Sequence, residues 1–175
     1  MDKVCCAIEA HGFTLNGEFK PKEIAIVSHK LSLSVLCDID YKKKTMSWKE
    51  KKSVSIISEM TGLPLDSKDD NYWRYEPKYK PKEFDGVNAI VAGYNWIRTD
   101  EQPVVATKTP QLVPIFEMFD IPYILMDPKE NSYLNNMYNY FCNTNCIYHK
   151  HNNTKCAYYK AQGIWYIVKS KKLRK

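Results

Sequence analysis

Three strand-like segments in direct succession constrain the fold of this chain more than any other feature of its sequence. Residues 4–10 (VCCAIEA) form a short apolar run of the kind found in buried strands. Residues 21–28 and 31–41 alternate between apolar and polar positions, as half-buried strands do. The Asn-Gly pair within LNGE (15–18) is typical of a two-residue hairpin turn. We therefore expect an antiparallel meander at the start of the chain.

Helix-like and strand-like segments alternate after this meander. Ser47 and Glu50 match a capping box. The helix that they begin could bury one of two apolar faces: Val54, Ile57 and Met60, or Ile56 and Met60. Asp85 is expected to cap a second helix, whose apolar positions recur at helical spacing: Val87, Ile90, Val91, Tyr94 and Ile97.

The last part of the chain continues this alternation. We expect buried strands at 103–107 and 121–127, and helices at 109–119 and 131–141. A final helix is indicated by the apolar series Ala157, Ala161, Ile164, Trp165 and Val168. Three antiparallel strands followed by alternating helices and strands predict an α/β fold, with a mixed five-stranded sheet flanked by helices on both faces. This is the order of the ribonuclease-H-like fold.

Length and composition fit a single domain over residues 1–175, with a basic tail at 169–175. No apolar run approaches the roughly 18 residues that span a bilayer, and the N-terminus lacks the layout of a signal peptide. These features predict an intracellular protein, cytoplasmic or nuclear, that does not contact membranes. Most cysteines in such a chain are thiols or metal ligands, and Cys5, Cys6 and Cys37 lie in apolar stretches that favour buried thiols.

The chain carries a net charge of +6 and its lysines occur in runs. Such runs are either solvated surface or phosphate contacts, and the Tyr and Trp content supplies side chains on which bases could stack. The lysines expected to bind nucleic acid are Lys42, Lys43, Lys44, Lys78, Lys80, Lys82, Lys171 and Lys172.

Cysteines and histidines cluster just before the last helix. Cys146, His149 and Cys156 are three zinc-type ligands within eleven residues. A fourth ligand could be Cys142, His151 or a carboxylate from a strand. The same residues could instead form a loop with buried thiols, or a catalytic Cys–His pair, which would need a third residue to orient the histidine.

Three segments resemble the Maelstrom domain, a degenerate relative of the DEDDh exonucleases that belongs to the germline small-RNA (piRNA) pathway. They are FKPKEIAIVS (19–28), CIYHKHNNTKCA (146–157) and AIEAHGF (7–13), the last resembling the first strand of related arthropod proteins. The resemblance implies a zinc site made of four ligands: Glu23, Cys146, His149 and Cys156. A site closed by four protein ligands has no open position for water, so the Zn²⁺ would be structural.

The resemblance also implies that the exonuclease site has decayed. Where that family's first strand carries Asp-x-Glu, this chain has Glu9-Ala10-His11. Where its terminal motif reads His-x4-Asp, His151 is followed by Cys156. Asp85 could be a remaining acid, although it also suits a helix cap. Two-metal hydrolysis needs a full set of carboxylates, so we expect it to be absent.

The expected function is therefore a zinc-stabilised domain that binds single-stranded RNA, protein partners or both in small-RNA silencing. Two alternatives remain open at the level of sequence. The first is an active single-stranded RNA nuclease. The second is a protein-interaction scaffold that docks through the aromatic segment at 71–80, since Trp, Tyr and Arg dominate binding hot spots.

Overall fold

A five-stranded mixed sheet forms the centre of the molecule. The structure, a computed structural model, describes residues 1–37, 39, 41, 45–63, 65, 85–127 and 156–172. The strands are β1 (Val4–Leu15), β2 (Glu18–Ser28), β3 (Ser32–Leu36), β4 (Val104–Thr107) and β5 (Tyr123–Leu125). Their order across the sheet is β3-β2-β1-β4-β5.

Strand directions follow the predicted arrangement. β1 pairs antiparallel with β2, and β2 pairs antiparallel with β3. β4 runs parallel to β1, and β5 runs parallel to β4. The predicted α/β fold with a mixed five-stranded sheet is confirmed.

The Asn-Gly turn joins β1 to β2 as expected. Asn16 and Gly17 both have positive φ angles, 51° and 79°. Two successive residues in this region define a type I′ turn, whose twist matches that of the two strands it connects. Both strands extend beyond their predicted limits, because the pairing continues past a register shift between His11 and Gly12 as far as the Leu15–Glu18 pair.

Four α-helices lie within the described residues, besides a 3-10 turn at Pro110–Leu112 that leads into the third. They are α1 (Trp48–Thr61), α2 (Gly86–Ile97), α3 (Val113–Met118) and α4 (Ala157–Lys172). The predicted capping box is present, with Ser47 and Glu50 exchanging side-chain and backbone hydrogen bonds. The helix predicted at 131–141 lies outside the described residues.

Two apolar layers cover opposite faces of the sheet. On one face, Ile8, Ile24 and Ile26 pack with α2 and with the segment around Phe116. On the other face, the buried side chains of β1 and β2 pack against α4, which contributes Ala157, Ala161, Ile164, Trp165 and Val168. All five residues of the predicted apolar series on the last helix are therefore buried.

One prediction about burial is wrong, and of the two alternative faces proposed for α1 the one with Val54 and Ile57 is confirmed for these two residues. The strand at 121–127 was expected to be buried, but Ile124 and Leu125 are exposed because β5 is the outermost described strand on its side of the sheet. On α1 the face with Ile56 and Met60 is exposed. Instead, Val54 and Ile57 pack against a third apolar cluster beneath the helix.

Candidate metal centre

The candidate centre begins with Glu23, a glutamate that the alternation of β2 places on the α4 side of the sheet. Its neighbours at two-residue spacing, Ala25 and Val27, belong to the apolar layer beneath α4. Glu23 is fully buried. Burial of a carboxylate is costly unless hydrogen bonds, an opposite charge or a metal compensate for the lost water. The surroundings of Glu23 must therefore supply that compensation.

Two contacts of the Glu23 side chain come from the start of α4. The Sγ of Cys156 lies 3.4 Å from Glu23 Oε1. The backbone N–H of Ala157 donates to Glu23 Oε2 at 3.1 Å, which satisfies one of the orphan amides at the helix N-terminus. Cys156 is also fully buried. The fold thus brings together two of the four predicted zinc ligands across 133 residues of sequence.

The separation of these two atoms fits a shared zinc ion. Ligand distances of about 2.3 Å for sulfur and about 2.0 Å for oxygen at a tetrahedral angle place the two ligands about 3.5 Å apart. A thiol donating to a carboxylate would have a similar separation. Either interaction leaves Glu23 Oε2 on the backbone N–H of Ala157, and this hydrogen bond orients the carboxylate.

The remaining predicted ligands, Cys146 and His149, lie outside the described residues, as do the alternatives Cys142 and His151. Within the described ranges no group of three or more His, Cys, Asp or Glu side chains is close enough to hold a metal. A complete zinc site at Glu23 and Cys156 therefore requires further ligands from outside the described residues, where Cys146 and His149 lie.

His11 is a neighbour of this centre that sequence reasoning assigned to a different role. The resemblance to Maelstrom domains implied that His11 stands where an exonuclease carries an acid, whereas the register of the hairpin sets His11 directly opposite Glu23. Residues opposite each other in an antiparallel pair share a face of the sheet. A cross-strand register cannot be read from a single strand, so the sequence alone did not reveal this pairing.

A second buried carboxylate lies two residues before His11 on the same strand. Glu9 accepts hydrogen bonds at Oε1 from the hydroxyl of Thr107, at 3.0 Å, and from the backbone N–H of Lys108. At Oε2 it accepts from the hydroxyl of Thr109, at 2.9 Å. The N–H of Thr109 in turn donates to the Thr107 hydroxyl, at 3.1 Å.

These contacts close the end of the parallel β1–β4 pair. Glu9 and Thr107 are buried, and the partners of Glu9 come from three consecutive residues where β4 ends. The partners are two hydroxyls and one backbone amide, and all three are neutral donors. None of them is a second carboxylate with which Glu9 could share a metal ion. Sequence reasoning identified Glu9 as a surviving acid but missed Thr107 and Thr109; a Thr-x-Thr step that begins at the last residue of a buried strand was the available signal.

Asp85 is a helix cap in this structure. Its Oδ1 accepts from the backbone N–H of Val87 at 2.9 Å, and its Oδ2 accepts from the side-chain amide of Asn88 at 3.3 Å. Asp85 is exposed and lies at the N-terminus of α2, on the face of the sheet opposite to that of Glu9 and Glu23. The capping interpretation of Asp85 is confirmed.

The four described cysteines are buried and form no disulfide with one another, as predicted for Cys5, Cys6 and Cys37. An irregularity in the β1–β4 register near Cys5 places Cys5 and Cys6 in the same apolar layer, with their sulfur atoms 3.5 Å apart. The hydrogen bond with Cys5, together with burial, raises the pKa of the Cys6 thiol far above its ordinary value. Burial raises the pKa of Cys37 to about 11. Both thiols therefore remain protonated at neutral pH.

The side chains of all eight predicted nucleic-acid lysines lie outside the described part of the molecule. Lys42, Lys43, Lys44, Lys78, Lys80 and Lys82 lie outside the described residues, as do the side chains of Lys171 and Lys172 and the aromatic segment at 71–80.

Among the described helices, none is both long enough and apolar enough to cross a bilayer. Comparisons with protein-family models, with curated proteins and with solved structures give no match.

Proposed function

We propose that this chain is a zinc-stabilised ribonuclease-H-like domain that binds single-stranded RNA and has lost two-metal hydrolysis. The observation that carries the proposal is the approach of Glu23 to Cys156, both fully buried, at 3.4 Å. The ribonuclease-H-like assignment is supported by the strand order β3-β2-β1-β4-β5, in which β4 and β5 follow β1 and run parallel to it. The resemblance to Maelstrom domains suggests proteins of small-RNA silencing as partners.

In this proposal the zinc ligands are Glu23, Cys146, His149 and Cys156. The ion would be structural, since four protein ligands complete a tetrahedral site. Glu23 belongs to the central sheet and Cys156 directly precedes α4, so the ligands would fasten the last helix to the sheet. Because a site of this kind does not exist in the unfolded chain, zinc binding would contribute to the free energy of folding.

The proposed loss of hydrolysis rests on Glu9. Both of its oxygens already accept hydrogen bonds from the three residues 107–109. Coordination of a catalytic Mg²⁺ by this carboxylate would break these hydrogen bonds in a buried site, where unsatisfied donors are costly. Asp85, the other candidate acid, is occupied as the cap of α2. We therefore assign Glu9 a structural role.

Single-stranded RNA is the proposed ligand because of the positive charge and the exposed aromatic residues. The net charge is +6, and Trp48 and Trp96 are among the large exposed side chains. Lysines neutralise phosphates and aromatic rings stack on bases. The test is fluorescence anisotropy with a labelled oligouridylate at several salt concentrations. We expect binding that weakens as salt rises, whereas absence of binding at every salt concentration would favour the scaffold alternative.

Replacement of Cys156 by serine tests the zinc centre most directly. A serine hydroxyl can donate to Glu23 as the thiol does, but it is a poor zinc ligand. If the two residues share a zinc ion, Cys156→Ser loses the metal and the melting temperature falls by more than about 10 °C. If they only share a hydrogen bond, the variant binds no less metal than the wild type.

Cys37→Ser is the matched control, since Cys37 is an equally buried thiol on the other face of the sheet. Zinc content measured by inductively coupled plasma mass spectrometry should be close to one equivalent in the wild type and in Cys37→Ser. Less than about half an equivalent in the wild type, or an unchanged zinc content in Cys156→Ser, would rule out the proposed centre.

A further inference from the structure

Trp48 is the most exposed tryptophan in the described part of the chain. It occupies the first position of α1, and 72% of its surface is accessible. Large aromatic rings are usually buried to a much greater extent. Its exposure follows from the orientation of α1, which turns Val54 and Ile57 toward the sheet.

Three lysines accompany Trp48 on the first turns of the same helix. Lys49, Lys51 and Lys52 are all exposed, and the Lys52 ammonium lies 5.2 Å from the centroid of the Trp48 ring. The one acidic residue among them is Glu50. Its carboxylate accepts hydrogen bonds from the Ser47 backbone N–H at 2.8 Å and from the Asn16 backbone N–H at 2.6 Å. Glu50 is therefore held toward the helix cap and the hairpin turn, and it forms no ion pair with the lysines within the described residues.

This arrangement has the two parts of a single-strand binding surface. An aromatic ring stacks on a base irrespective of its identity, and neighbouring cations neutralise the phosphates on either side. The cation–π contact with the Trp48 ring holds the Lys52 ammonium close to the ring, so the two parts of the surface lie side by side. Exposed apolar residues further along α1, Ile56 and Met60, would suit a protein partner, but the lysines favour a polyanion at the Trp48 end.

We infer that the first turns of α1 bind single-stranded RNA, with one base stacked on Trp48 and the adjacent phosphates contacted by Lys49, Lys51 and Lys52. This inference rests on the proposed function, since it locates the RNA-binding surface of the same domain. It places that surface at the hairpin end of the sheet, where α1 contacts the β1–β2 turn through Glu50 and Asn16.

The test is anisotropy with a fluorescein-labelled oligouridylate of about 12 nucleotides at constant moderate salt. We expect Trp48→Ala to weaken binding about 5- to 100-fold and Trp48→Phe to restore most of the affinity, because phenylalanine retains a stacking face. The double variant Lys51→Ala/Lys52→Ala should reduce the slope of log K against log salt by about 1.4. Thermal unfolding should be nearly unchanged in each variant, because these side chains are exposed.

Trp96→Ala is the matched control. Trp96 is similarly exposed, at 64%, but it lies on α2 shortly before Asp100 and Glu101. We expect this variant to bind the oligonucleotide within about twofold of the wild type. The inference is overturned if Trp48→Ala also binds within twofold, or if both tryptophan variants lose affinity equally. A wild-type protein that binds no RNA at all would overturn both the inference and the proposed function, whereas wild-type binding without a Trp48 effect would overturn the inference alone.

Discussion

Two buried glutamates on neighbouring strands, Glu9 on β1 and Glu23 on β2, have different surroundings. Both lie on the α4 side of the sheet. The register places Glu9 opposite Ala25, which is two residues after Glu23 on β2. Glu9 is surrounded by neutral donors from a single short segment of the chain. Glu23 contacts a thiol and the N-terminus of a helix that begins 134 residues later.

The difference shows how burial alone fails to identify a functional carboxylate. The donors around Glu9 are hydroxyls and a backbone amide, which satisfy a carboxylate without requiring an ion. The neighbours of Glu23 include, besides the backbone N–H of Ala157, the sulfur of Cys156, and sulfur is a preferred ligand of zinc. The partner atoms, rather than the depth of burial, separate a structural glutamate from a candidate metal ligand.

The largest effect is expected when Glu23 is replaced by its isosteric amide. If Glu23 holds the proposed zinc ion, Glu23→Gln should lose the metal and lower the free energy of unfolding by about 4 kcal/mol or more, because metal binding would then supply part of the folding free energy. Urea denaturation with and without a chelator measures this change. The chelator should destabilise the wild type strongly and Glu23→Gln very little.

Glu9→Gln should have a smaller effect, about 1–2 kcal/mol, and should leave the zinc content unchanged. One oxygen of the new amide can still accept from Thr107 and Lys108, and the Thr109 hydroxyl can turn to accept from the amide N–H₂. The same urea titration and metal measurement apply. If Glu9→Gln released the zinc, or if it destabilised the protein as much as Glu23→Gln, the contrast between the two carboxylates would be lost.

Local patterns in the sequence predicted most of the fold, whereas the pairing of Glu23 with Cys156 was implied only by the resemblance to Maelstrom domains. Alternation along β2 places Glu23 on the face that α4 covers, and the apolar series from Ala157 fixes where that helix begins. Both patterns are periodic and depend only on neighbouring residues, so the sequence alone is enough to predict which face each residue occupies. The meeting of Glu23 and Cys156 then follows from the order of the elements, as the resemblance had implied.

Features that depend on pairing between distant strands were not predicted. The contacts of Glu9 require that β4 lie parallel to β1 with Ala7 opposite Ala106, a register set by residues about a hundred positions apart. The register irregularity near Cys5 reverses the alternation there, so that two successive cysteines face one apolar layer. The exposure of Leu125 on β5 likewise reflects its place in the sheet rather than its apolar sequence.

Thr109→Val tests the Glu9 network with an almost isosteric change. The substitution removes the hydroxyl that donates to Glu9 Oε2 and should cost about 1 kcal/mol in the free energy of unfolding. Zinc content should remain at the wild-type value. An unchanged free energy of unfolding in urea denaturation would show that Glu9 Oε2 does not depend on this donor. The interpretation of Glu9 as a carboxylate satisfied by residues 107–109 would then be wrong.

The smallest effect is expected at Glu50, an exposed carboxylate that contrasts with both buried ones. Hydrogen bonds from the Asn16 backbone, then from the Ser47 hydroxyl and backbone, lower the pKa of Glu50 below its ordinary value. A group with a lowered pKa in the folded state stabilises the protein above its unfolded pKa, and this contribution is lost as the pH falls through the folded pKa. Glu50→Gln should therefore lower the melting temperature by no more than about 3 °C at pH 7, and the difference from the wild type should shrink toward zero near pH 3. A difference that persists unchanged across this range would mean that the capping geometry of Glu50, and not its charge, stabilises α1.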